Sequence, residues 1–72
     1  MSGAERTYWQ ARTAWRRAAK AARERLAWLD ANVGGLDWYT DPDYARLHGE
    51  YKLAHEAYQR ADRAWTWETH RR

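Results

Sequence analysis

The sequence predicts an all-α protein: an antiparallel two-helix hairpin, coiled-coil-like, that assembles into a four-helix or larger bundle. Three observations carry this expectation. Two long stretches rich in Ala, Arg, Leu and Glu, all good helix formers, are separated by one run of stop and start signals. Tyr44, Tyr51, Tyr58 and Trp65 recur every seven residues, with Leu47, Ala54 and Ala61 between them, as the two core positions of a heptad repeat require. Tyr8, Ala11, Trp15, Ala18, Ala22, Leu26 and Leu29 form a second such row at three- and four-residue steps.

The chain reads as one domain over residues 1–72, with helix 1 at about 3–32, a loop at 33–41 and helix 2 at about 42–69. Ser2 and Glu5 form a capping box, in which the hydroxyl accepts from the third helical N–H. Asn32-Val33-Gly34-Gly35 is a stop, because glycine adopts the left-handed conformation that ends a helix. Asp41 is the expected N-cap of helix 2. Pro42 sits where a missing N–H costs nothing, and Asp43 complements the helix dipole. A connection of this length folds the helices back antiparallel. Tyr8 and Trp15 then lie near Trp65 and Tyr58, while Leu26 and Leu29 lie near Tyr44 and Leu47. Bulky rings facing alanines such as Ala18 and Ala22 fill the seam, large against small.

Such a hairpin leaves apolar strips uncovered. Ala14, Ala21 and Trp28 flank one seam, and Leu53, Ala57 and Ala64 flank the other. Chains below about 70–80 residues rarely draw more than ~3–5 kcal/mol from one core. Self-association into a homo-oligomer is therefore expected.

Composition narrows the function. With no cysteine among 72 residues there is neither a disulfide framework nor a thiolate metal site. No apolar run is long enough to span a membrane, and the opening residues do not resemble a secretory signal, so a cytoplasmic protein is expected. Residues 1–31 carry seven basic groups against three acidic ones, and residues 41–72 carry six of each. The only serine is committed to a cap, and no phosphate-binding or nucleophile motif is present, so no enzyme and no cofactor are expected. His48 and His55 are seven residues apart, about 10 Å along a helix, too far to share a metal. They are expected to flank the tyrosines and hydrogen-bond their hydroxyls.

Six tryptophans and five tyrosines without a single phenylalanine favour a binding surface, since Trp and Tyr combine apolar area with a polar atom. Trp9, Trp28 and Trp67, rimmed by Arg12, Arg16 and Arg63, are the candidate residues for docking a protein partner. The expected role is a small adaptor or inhibitor, in the genre of small accessory and phage-type helical hairpins. Trp38 and Tyr39 are expected to plug the loop end of the core. The alternatives are a nucleotide or nucleic-acid binder, using the basic row Arg12, Arg16, Lys20 and Arg23 around Trp9, or a structural subunit of a larger assembly.

Overall fold

The computed structural model describes residues 2–33 and 40–70. Two helices, α1 (Gly3–Asn32) and α2 (Pro42–His70), pack side by side as an antiparallel hairpin. The rod measures 53 × 16 × 15 Å, close to the ~45 Å that thirty helical residues span. The glycine turn at Gly34-Gly35 and the loop aromatics Trp38 and Tyr39 lie outside the described residues.

Local chemistry sets the helix ends. The Ser2 hydroxyl accepts from the Glu5 N–H at 3.1 Å, and the Ser2 carbonyl accepts from the Arg6 N–H at 3.0 Å. At the other end of α1, the Val33 N–H donates to the Leu29 carbonyl at 2.8 Å, and the Asn32 side-chain amide donates to the Trp28 carbonyl at 2.8 Å. These bonds satisfy acceptors that a helix C-terminus otherwise leaves open. Asp41 caps α2: its Oδ2 accepts from the Tyr44 N–H at 2.8 Å, and its carbonyl accepts from the Ala45 N–H at 2.9 Å.

With Tyr8, Trp15, Ala22 and Leu29 at heptad position a of α1, and Tyr44, Tyr51, Tyr58 and Trp65 at a of α2, the α1 side of the seam is aromatic toward the termini and aliphatic toward the loop, while the α2 side is aromatic throughout. Tyr8 packs on Trp65 with ring centroids 4.7 Å apart and on Tyr58 at 5.5 Å, and its hydroxyl meets that of Tyr58 at 3.5 Å. Trp15 stacks on Tyr58 at 4.7 Å, the planes only 20° apart. Ala22, Leu29, Tyr44 and Ala61 are buried. Tyr51, Tyr58 and Trp65 are only half-buried, because one neighbouring helix covers one edge of a wide ring and leaves the other to solvent.

The histidines flank the tyrosines as expected, and their described contacts are with the ring faces. His48 stacks on Tyr44 (5.7 Å, 21°), and His55 stacks on Tyr51 (6.0 Å, 14°) and Tyr58 (6.4 Å, 24°). Positions 44, 48, 51, 55 and 58 advance by alternate steps of four and three, which keeps every ring on one side of α2. His55 also lies 5.2 Å from Trp15 across the seam.

Trp15 is the central cross-helix contact, and its indole N–H is buried without a hydrogen-bond partner. Trp15→Ala is expected to cost about 3 kcal/mol, the lower end for tryptophan truncation because the site is half-buried. That loss is comparable to the whole stability of a hairpin this size. Trp15→Phe keeps most of the ring and removes the unpaired donor, so it should change stability by no more than about 1 kcal/mol. Thermal melts followed by far-ultraviolet circular dichroism check both.

Candidate binding surfaces

One polar contact locks the loop end of the hairpin. Arg25 Nε donates to Asp41 Oδ2 at 3.0 Å, and Arg25 Nη2 donates to Asp41 Oδ1 at 2.9 Å. This is the two-pronged geometry in which a guanidinium holds a carboxylate best. Asp43 adds a longer contact to the same Nη2 at 3.7 Å. The guanidinium also lies 4.4 Å from the centre of the Trp28 ring. Arg25 thus joins α1 to the first turn of α2 and orients Trp28 beside it. Its hydrogen bond to Asp41 raises the Arg25 pKa above its ordinary value. The same bond, and next the Tyr44 N–H, hold the Asp41 carboxyl below the usual aspartate range.

The spacing alone had placed Leu26 in the seam. The described contacts put Arg25 at the seam's inner position, three residues after Ala22 and four before Leu29, while Leu26 lines a groove at the seam's edge. The clue was the pair of acids, Asp41 and Asp43, opening the opposite helix.

The hairpin has two unlike sides. On one, an open groove of about 660 Å³ runs along α1 between Arg12, Arg16, Arg17, Lys20 and Arg23, with Trp15 at its wall. No acidic residue lines it. Lys20 reaches Glu24 at 3.8 Å, but both side chains are exposed, so the pair contributes little. Arg12 lies 5.5 Å from the Trp9 ring, which is 44% exposed and also touches Tyr8 and Trp65. Adjoining this groove is a smaller one of about 270 Å³, walled by Ala19, Leu26, Tyr44, His48 and Tyr51. Ala19, Leu26 and His48 occupy heptad position e, so this side of the hairpin carries the e edges of both helices.

The opposite side carries position g of both helices. Trp28 there is 48% exposed, and Leu53 and Trp67, at the adjoining position c of α2, are each 68% exposed. The candidate residues therefore do not form one patch. Arg12, Arg16, Lys20 and Arg23 line one groove, Trp9 stands beside Arg12 and also borders a hollow with Gln10, Ala14 and Arg17, Trp28 and Trp67 are exposed at opposite ends of the rod, and Arg63 is exposed on α2. Trp28 is flanked by Arg25, a residue that the sequence reading did not single out.

Among the described residues, no group of three or more His, Asp or Glu side chains is arranged to hold a metal ion. Nor, among the described residues, is any helix long and apolar enough to cross a membrane. Compared with known protein families, curated proteins and solved structures, the chain matches none. The class that the fold defines is a helical hairpin with one basic, aromatic side and one apolar side.

The Arg25–Asp41 contact has a pH signature. A carboxyl whose folded pKa is lowered contributes fully above its unfolded value, and loses that contribution as pH falls through the folded one. Asp41→Asn retains a capping side chain but not the charge. The variant should melt below the wild type at neutral pH. The gap should narrow as pH drops below about 4, the ordinary aspartate value. Melting temperatures measured from pH 7 to pH 2 check this.

Proposed function

We propose that this chain is a non-enzymatic binding protein that associates with itself and docks a protein partner through exposed tryptophan rimmed by arginine, as an adaptor or inhibitor. The observation that carries the reading is the exposure of Trp9, Trp28 and Trp67 on a framework that buries only four of its described side chains. Large exposed apolar residues are costly in a lone soluble chain and concentrate at interfaces, where Trp and Arg contribute most of the binding energy.

A second reading rests on the basic groove. Arg12, Arg16 and Lys20 advance by four residues, about 6 Å per step on a helix. A row of cations beside a half-exposed tryptophan suits a phosphate backbone with a stacked base. The nucleotide or nucleic-acid alternative therefore stands on this side of the hairpin.

Salt separates the two readings. Binding of a fluorescent single-stranded oligonucleotide that weakens by about 10-fold or more between 50 and 200 mM salt, and is lost in Arg12→Glu/Arg16→Glu, assigns the groove to nucleic acid. The favoured reading instead predicts weak oligonucleotide binding that is indifferent to these substitutions. It also predicts a protein captured from host lysate after nuclease treatment by the wild type but not by Trp9→Ser. Capture that survives Trp9→Ser removes Trp9 from the docking surface.

A further inference from the structure

We infer that the apolar side of the hairpin, built from Trp28, Leu53 and Trp67 around Ala14, Ala21, Ala57 and Ala64, is where a second copy of this chain binds. The inference deepens the self-association proposed above and rests on it, because it names the surface.

Register comes first. Ala14, Ala21 and Trp28 occupy position g of α1. Leu53, Ala57, Ala64 and Trp67 step along α2 at alternating c and g positions, with Arg60 completing the three- and four-residue rhythm. α2 therefore carries a second apolar row and α1 a single line at position g, both rotated away from the seam that closes the hairpin. Reversing one helix against the other keeps a and d in contact and brings g beside g. The e edges meet at the groove containing Ala19, Leu26 and His48, so the g edges share the far side. Ala14 and Ala64 are exposed, and Ala21 and Ala57 are half-exposed. Small residues in the middle let another helix pair approach closely, and large ones near the ends supply apolar area.

Area comes second. A compact monomer of 8.6 kDa exposes about 4,700 Å². This hairpin exposes 5613 Å². The excess of about 900 Å² reflects the elongated 53 × 16 × 15 Å shape, and it leaves the chain with surface to give up on the scale of the ~800 Å² that each partner contributes to a stable interface.

Charge selects both the side and the occupant. Arg46 and Arg60 on the apolar side stand among Glu24, Asp43 and Glu50, so this surface carries both signs and can meet its own copy without the one-sign repulsion of the basic groove. The basic groove cannot, because a two-fold axis there would set Arg12, Arg16 and Arg23 against themselves. Dimerisation through the apolar side leaves both basic grooves on the outside of a four-helix bundle.

The test pairs two readouts on the full chain. Ala14→Glu/Ala64→Glu changes two side chains that a lone hairpin leaves in solvent, to a residue that favours helix. At tens of micromolar the wild type should sediment as a dimer. The double variant should bind itself roughly 100-fold more weakly, the scale expected for desolvating unpaired carboxylates. Arg12→Glu/Arg16→Glu should dimerise as the wild type does. Independently, Leu53→Cys in this cysteine-free chain should react slowly with a maleimide when concentrated and faster on dilution. Lys20→Cys should react at one rate throughout. Should the alanine variant fail to fold, the cysteine rates decide the matter. A wild type that remains monomeric overturns self-association altogether. Undiminished dimerisation of the alanine variant, or a Leu53→Cys thiol equally reactive at all concentrations, leaves self-association standing and overturns this surface.

Discussion

Everything in this structure depends on how wide aromatic rings are accommodated between only two helices. Trp15 lies flat on Tyr58, and Tyr8 is held between Tyr58 and Trp65. Alanines beside the rings allow the helices to close on them. A third or fourth helix would bury both edges of each ring; one neighbour buries a single edge. Among the described residues only Ala22, Leu29, Tyr44 and Ala61 are buried as a result, and none of them completely. The same limit leaves the grooves along the seam open and keeps the flanking apolar residues in solvent. The binding surfaces are therefore a consequence of the packing, and not an addition to it.

The polar clamp at the loop end complements this seam. Ring stacking is tolerant of sliding, since a flat ring gains similar contact over a range of offsets. A two-pronged guanidinium–carboxylate contact is directional. Arg25 on Asp41 therefore fixes the register that the aromatic rows leave loose. The same carboxylate also caps α2 through the Tyr44 N–H, so register and helix start are set by one side chain. Its partial shielding from water makes the contact stronger than the exposed Lys20–Glu24 and Arg46–Glu50 pairs.

Much of this was legible in the residues because it is local. Ser2 and Asp41 as caps, Pro42 at a first helical position and the seven-residue recurrence of Tyr44 to Trp65 each depend on near neighbours in sequence. What escaped depends on both helices at once. Arg25 reads as a surface cation until Asp41 is brought across from α2. The separation of Trp9 from Trp28 and Trp67 likewise follows from two registers combined. Each helix wheel alone shows exposed tryptophans, and only their antiparallel pairing assigns them to different sides. The interleaving of His48 and His55 with the tyrosines was present in the spacing.

The placement of the clamp has a kinetic consequence. Arg25 and Asp41 are separated by 16 positions, whereas Tyr8 and Tyr58 at the free ends are separated by 50. Closing the larger loop first costs about 1 kcal/mol more in chain entropy than closing the smaller. The two arms accordingly zip from the bend outward and come apart in the reverse order, like tongs. The tips, where Tyr8, Trp9 and Trp65 cluster, are the first to part and the last to meet. Amides of the terminal turns will exchange with solvent through this partial opening long before those beside Leu29 and Tyr44.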